Sequence, residues 1–245
     1  MVIIKSDEEI TIMRKCGRIL AAILDKLRTE VKPGIKTGQL DTIMAEQSNK
    51  RGVIPSFKDY RGFPANLCVS VNDEIVHGIP GERVLQEGDL VSLDVGARLD
   101  GFHTEAAITV GVGRISKEAE ELSAVTEGSL KSGIAKAING AWIEDISSAI
   151  QHYVESRGFS VVREYTGHGV GRDLHEEPPI PNFVFGKGIR LRKGMTLAIE
   201  PMVNVGDWHT KLAANQWTVL TADGSLSAHF EHTVAIGDTG AEILV

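Results

Sequence analysis

The stretch "DVGARLDGFHTEAA", Asp94 to Ala107, decides how the chain is read. Asp100-Gly101 has the composition of a two-residue hairpin loop. Folding the strands back from it sets Leu99 opposite Phe102, Glu105 opposite Gly96 and Asp94 opposite Ala107. Asp94 and Glu105 then share one face as diagonal neighbours, about 7 Å apart at the backbone. The same strands carry Val91, Leu93, Val95, Ile108 and Val110, which predicts that most of the hairpin is buried. Two buried like charges repel, so either one carries a proton or a cation sits between them. The alternative is an edge strand from which both acids point to solvent.

Working outward, the chain has two helices then strands, twice over. Ser6 and Glu9 form a capping box before an apolar stripe of Ile10, Met13, Ile19, Leu20, Ile23, Leu24 and Leu27. This first helix is expected to end near Pro33 and Gly34, and a second to span Thr37 to about Lys50. The strands "NLCVSVND", "DLVSLDVGA" and "EAAITVGVG" follow. After Gly113 the pattern resets: a helix capped by Ser116 and running to about Ile138, a second from Ile143 to about Arg157, then "SVVREY", "MTLAIEPMV", "QWTVLT" and "AHFEHTVAI" as strands. "EGDLVSLD" places Asp94 six residues after Gly88, and "KGMTLAIE" places Glu200 six residues after Gly194. This predicts an α+β fold of one domain, residues 1–245, built from related halves of about 1–113 and 114–245 that share a site.

Composition narrows the class. A chain of 245 residues, 42% hydrophobic and 24% charged, is that of an ordinary globular protein. Its net charge of −7 argues against non-specific nucleic-acid binding. Cys16 and Cys68 form no CxxC pattern, against a disulfide framework or a cysteine zinc site and in keeping with a reducing cytoplasm. The N-terminal residues are too charged for a signal peptide, and no apolar run approaches the roughly 20 residues of a membrane helix.

Further candidate ligands sit in comparable settings. "TGHGVGRDLHEEP" holds His168 and His175 among glycines, "AIEPMV" ends an apolar strand on Glu200, and "AHFEHTVAI" sets Glu231 between Phe230 and His232. Singly, each also has a purely structural reading, His168 as a core histidine and the acids as paired or exposed groups. Four carboxylates and one imidazole together suit two divalent ions of manganese, iron, cobalt or zinc, which can share bridging carboxylates and activate a water for hydrolysis.

"VNDEIVHGIP", "LDVGARLDGFH", "GHGVGRDLHEEP", "IEPMV" and "DGSLSAHFEHTV" resemble, in order and over essentially the whole chain, the motif series of the type I methionine aminopeptidases. The resemblance implies the pita-bread fold, two pseudo-symmetric α+β halves around a central antiparallel sheet. It implies that Asp94, Glu105, His168, Glu200 and Glu231 hold two metals, with Glu105 and Glu231 bridging and Glu200 also handling protons. His77 and His175 match the two histidines that contact the scissile peptide and steady the tetrahedral intermediate. Phe57, Tyr60, Phe63, Cys68, Leu174 and Trp217 match the methionine pocket, although on their own they read as ordinary core. The implied substrate is the N-terminal peptide of nascent proteins, met at the ribosome by a cytoplasmic monomer of the compact bacterial form, without the zinc-finger extension of many eukaryotic enzymes or the helical insertion of type II.

Several residues depart from the family pattern. "HTE" replaces "HGD": Thr104 stands for Gly, and Glu105, one methylene longer, for Asp. The longer carboxylate requires that the backbone retreat, the side chain fold back or the bridging mode change. Loss of a glycine free to adopt φ > 0 favours a backbone shift, and the altered geometry implies reduced or altered activity. Leu174 replaces Phe, and Gln216 precedes Trp217 where Gly is common. His229 replaces Gln two residues before Glu231; alternation sets both on one face, where His229 reaches substrate or metal or lies as a polar neighbour at the rim. The alternatives to an active enzyme are a catalytically impaired pita-bread paralogue that binds partners and an aminopeptidase of other specificity, such as X-Pro.

Overall fold

The computed structural model describes residues 2–245. Helices α1 (Asp7–Glu30) and α2 (Thr37–Arg51) come first. The short strands β1 (Ile54–Pro55), β2 (Leu67–Val71) and β3 (Glu74–Val76) lead into the long hairpin of β4 (Leu90–Leu99) and β5 (Phe102–Gly111). Helices α3 (Lys117–Ile134) and α4 (Ile143–Glu155) open the second half. It continues through β6 (Ser160–Val161), β7 (Thr166–Gly169), β8 (Glu176–Pro181), β9 (Thr196–Ile199) and β10 (Met202–Asn204). It closes with β11 (Thr210–Leu212), β12 (Val219–Thr221), β13 (Ser227–His229), β14 (Glu231–Ile236) and β15 (Ala241–Ile243).

The first helix begins as its sequence dictates. The Ser6 hydroxyl accepts the Glu9 N–H, and the Glu9 carboxylate accepts the Ser6 N–H. Ile10, Met13, Leu20, Ile23, Leu24 and Leu27 form its buried stripe, against which the hairpin packs. Fully burying each such side chain contributes about 1.5–3 kcal/mol. Gly17 lets the last two residues cross closely, because a Cβ there would lie 2.0 Å from the Leu244 carbonyl oxygen.

The central sheet is antiparallel, in the order β1-β4-β5-β14-β9-β7-β8, with β2 also on β4 and β15 also on β14. Strand β5 pairs with β14 and so joins the halves. Val91, Leu93, Val95 and Ala106 pack in one core with α1 and α2. Leu197, Ile199, Val234 and Ile236 pack in another with α3 and α4. Asp94, Glu105 and Ala107 alternate with these residues and therefore face away from the first pair of helices.

The hairpin has the expected register: Leu99 opposite Phe102, Glu105 opposite Gly96, Asp94 opposite Ala107. Other expectations need correction. Helix α3 stops at Ile134 instead of continuing to about Ile138. Tighter bonds follow, from Lys136 N–H to Gly133 C=O and from Ala137 N–H to Ile134 C=O, and they turn the chain so that Ala137 is buried. "SVVREY" is strand only at Ser160–Val161. "EEPPIP" forms β8, which its prolines hid; it lies at the edge of the sheet, where a missing N–H is tolerated. "AHFEHTVAI" is two strands broken at Phe230. β13 pairs with β10 in a small sheet, whereas β14 pairs with β5 and β9 in the large one. β9 and β10 part at the same level, at Glu200-Pro201. A strand pair thus turns a corner between sheets, and Glu200 and Glu231 stand at that corner.

Candidate metal centre

The site lies in two neighbouring rows across one face of the sheet. In the first, Cys68 pairs with Asp94, Asp94 with Ala107, and Ala107 with Glu231. In the second, Gly96 pairs with Glu105, and Ala198 pairs with both Thr233 and His168. Thr233 closes this row, because its Oγ1 accepts the Glu105 N–H and donates to the Glu105 carbonyl, both at 2.8 Å. Acids and imidazole alternate with small residues, so the long side chains lean into space over Ala107, Ala198 and Gly96. Gly96 has a second reason to lack a Cβ, which would meet the Phe57 ring at 2.8 Å.

One ligand atom each from Glu105, His168 and Glu231 lies within 4.8 Å of the others. His168 Nε2 is 3.8 Å from Glu105 Oε1 and 3.4 Å from Glu200 Oε1. On the other side of its ring, His168 Nδ1 is 2.8 Å from the Gly169 carbonyl. A carbonyl can only accept, so Nδ1 carries the proton and Nε2 turns a bare lone pair toward the carboxylates. Burial lowers the His168 pKa to about 4, which keeps the ring neutral.

The carboxylates are uncompensated. Burial pushes Glu105, Glu200 and Glu231 well above the ordinary carboxylate range, and their neighbours' negative charges push them further. Burial raises Asp94 to about 7, opposed by the Cys68 thiol that hydrogen-bonds it. Glu105 Oε1 is buried and has no hydrogen-bond partner. An unpartnered buried oxygen amid like charges, facing a bare imidazole nitrogen, is a setting that a divalent cation would satisfy. The donor set, oxygen-rich with one nitrogen, fits one.

The backbone at Thr104 is regular. Thr104 pairs with Ala97 within an unbroken ladder and is not among the residues of positive φ. Glu105 therefore reaches the cluster from a regular strand. His229 is also not a rim residue: it is 2% exposed, beneath the site.

The ligand face opens into a cavity of about 170 Å³. Phe57, Tyr60, Phe63, Cys68, Leu174 and Trp217 line it beside His77, His175 and the acids, so the sequence-predicted pocket residues meet in one place. Phe63 and Trp217 pack edge to face at 5.3 Å. Arg61 also lines the cavity and went unrecognised, because a lone exposed arginine in a loop carries no sequence signal. Thr233 and Thr109 were likewise missed, because threonine in a strand is common. His175 Nδ1 is 2.8 Å from the Tyr60 hydroxyl. His175 is held well below the usual imidazole pKa by desolvation and by His168, Arg61, His77 and His103 around it. If the neutral ring's Nδ1 accepts from Tyr60, Nε2–H is left as a free donor. His77 has φ 59, left-handed and unusual for a side-chain-bearing residue at a turn, and its ring is lowered in pKa by burial.

The comparisons with known proteins agree with this geometry. The model of metallopeptidase family M24 matches residues 11–238. A methionine aminopeptidase of Bacillus subtilis is 54% identical over 245 residues, covering 100% of this chain and 99% of its own. One from Clostridium perfringens is 54% identical, covering 100% and 98%. The crystal structure of a methionine aminopeptidase from Thermotoga maritima superposes with a TM-score of 0.98 at 47% identity, covering 100% of this chain and 99% of its own. The chain belongs to metallopeptidase family M24, and it is a hydrolase with the pita-bread fold. Within the family its place is among the methionine aminopeptidases of the type I bacterial form. The paralogue and X-Pro alternatives are not favoured.

Proposed function

We propose that the protein removes the N-terminal methionine from nascent polypeptides with two divalent ions held by Asp94, Glu105, His168, Glu200 and Glu231. The observation that carries this reading is the meeting of four raised carboxylates and the bare Nε2 of His168 at the end of an apolar cavity. Two ions would be needed because one cannot offset four carboxylates, and Glu105 and Glu231, in neighbouring rows, would be among the residues that hold them. Bound there, the ions would supply Lewis acidity and activate a water for attack on the first peptide carbonyl.

The chain's own groups do the rest. Phe57, Phe63, Cys68, Leu174 and Trp217, closed by Tyr60, enclose an unbranched thioether side chain in soft, apolar surroundings. The carboxylate end of the cavity attracts the substrate's α-amino group. His175, with Tyr60 at Nδ1, donates from Nε2 to the carbonyl oxygen as negative charge grows on it, and His77, in the same lining, donates as well. Glu200 takes a proton from the attacking water and returns it to the departing nitrogen. The halves of about 1–113 and 114–245 form one catalytic domain, each bringing a hairpin or corner acid to the shared centre. The protein works as a cytoplasmic monomer on chains leaving the ribosome; no described helix is long and apolar enough to cross a membrane.

The test is methionine release from a Met-Ala-Ser peptide by purified protein with Mn²⁺ or Co²⁺, with calorimetry counting bound ions. Release and about two ions per chain are expected. No release with any divalent metal overturns the reading.

A further inference from the structure

We propose that His229 is a positioning residue for the metal centre: its Nε2–H holds Glu200 Oε2, so that the other oxygen of Glu200 faces the ions. The inference rests on the dimetal reading and concerns a side chain that sits outside the ligand set and outside the cavity lining.

His229 is held firmly by its backbone. Its N–H donates to Thr109 Oγ1 at 2.9 Å, and the same hydroxyl donates to the His229 carbonyl at 2.7 Å. Ser92 Oγ, 2.9 Å from Thr109 Oγ1, fixes that hydroxyl in turn. Thr233 brackets Glu105 in the same way on the facing strand. The two clamps are related by the pairing of Ala107 with Glu231 and Ala106 with His232, so His229 occupies in one half the place that Glu105 occupies in the other.

The ring contrasts with the backbone. It is 2% exposed, and neither Nδ1 nor Nε2 has a hydrogen-bond partner. Each unpaired buried polar group costs about 1–3 kcal/mol. A hydrophobic side chain of similar volume would avoid this, so the imidazole has no structural use in its present state. Its nearest charged neighbour is Glu200, with Nε2 3.8 Å from Oε2. His168 Nε2 stands 3.4 Å from Oε1 of the same carboxylate. Glu200 thus lies between two imidazoles, one per oxygen. A movement of about 0.8 Å brings His229 Nε2 within hydrogen-bond range of Oε2. An ionised carboxylate only accepts, so Nε2 must carry the proton. That fixes the rotation of the carboxylate and turns Oε1 toward His168 Nε2 and the cluster. A ligand nitrogen would carry no proton, so direct ligation by His229 and positioning of Glu200 are told apart by the protonation of Nε2.

Compare the parent, His229→Leu and His229→Gln as purified full chains. His229→Leu is expected to bind Co²⁺ about 10- to 100-fold more weakly by calorimetry. The visible bands of its Co²⁺-saturated form are expected to keep the parent's coordination number. On the Met-Ala-Ser peptide with saturating Co²⁺, kcat falls while KM is unchanged. His229→Gln, which retains an N–H donor, restores most of the affinity. The metal-free Tm of His229→Leu is expected to equal or exceed the parent's. Equal Co²⁺ affinity in parent and His229→Leu overturns the inference, as does a lost ligand in the visible spectrum. Independently of whether the variants fold, ¹⁵N spectra of the histidine-labelled, Zn²⁺-loaded parent should show a protonated His229 Nε2; a proton-free, metal-bound nitrogen overturns positioning. If the parent binds no divalent ion, the dimetal reading falls and this inference with it.

Discussion

Two places in the molecule bury charge, and they do it in opposite ways. Lys5 and Glu176, each with a side chain 2% exposed, form an ion pair that ties the N-terminal segment to the loop carrying His175. Glu176 Oε1 also accepts the Asp173 N–H, and the Lys5 N–H donates to the Gly194 carbonyl. That charge is neutralised from within the chain. At the metal centre, Asp94, Glu105, Glu200 and Glu231 meet with no lysine or arginine in salt-bridge contact. Self-compensated burial fixes a loop; uncompensated burial reserves a place for something the chain does not supply.

The sharpest way to break this contrast is to remove one charge from each place. Glu231→Ala should lose about 4 kcal/mol of transition-state stabilisation, on the order of 1000-fold in methionine release, while the metal-free protein keeps or gains stability as one like charge disappears. A matching fall in metal-free Tm would show that Glu231 serves the fold. Lys5→Met should do the reverse, destabilising by about 3 kcal/mol, roughly 10 °C in Tm, because it strands Glu176. Its metal affinity, measured below the transition, should stay near the parent's.

The pH dependence separates the two places further. Carboxyls whose folded pKa is raised bind protons more tightly when folded. The stability they contribute is full below their unfolded pKa and is lost as pH rises through the folded value, about 7 for Asp94; the three glutamates, pushed well above the ordinary carboxylate range by burial and like charges, act in the same sense. The buried histidines have the opposite sign, but above about pH 6.5 they are neutral in both states. From pH 6.5 to about 7 the metal-free protein should therefore lose stability, by up to about 1.4 kcal/mol per pH unit for each group titrating. Saturating Mn²⁺ should flatten the slope. A metal-free Tm that rises over this range would contradict the assignment of these groups.

The smallest effect is expected at Glu105. Its carboxylate meets the cluster from an undistorted strand, so Glu105→Asp withdraws it by about 1.5 Å. A loss of roughly 2- to 10-fold in metal affinity and activity is expected, at the low end of the range for displaced metal-site groups. Higher activity in Glu105→Asp would show instead that the longer side chain is a defect.

Much of the site was legible because its chemistry is carried by residue types that are costly to bury. Asp94, Glu105, His168, Glu200 and Glu231 stand in apolar or glycine-rich strands, and Asp100-Gly101 sets the hairpin register, so one local turn fixed which acids share a face. Strand period could not show that "AHFEHTVAI" changes sheets at Phe230, since either side of the break alternates equally well. Proline content concealed β8, which survives because it is an edge.

By itself, then, the sequence determined the two-half α+β order, the candidate ligands and the family. These depend on local period, turn chemistry and the expense of unpaired charge, all read along the chain. Only the tertiary structure decided where partners come from. It showed that Thr233 and Thr109 clamp Glu105 and His229, that Thr104 leaves the strand regular, and that His229 lies beneath Glu200 with both ring nitrogens unpaired. These contacts join residues 120 or more positions apart, or hang on which sheet a strand has entered, and no local pattern encodes a distance of that kind.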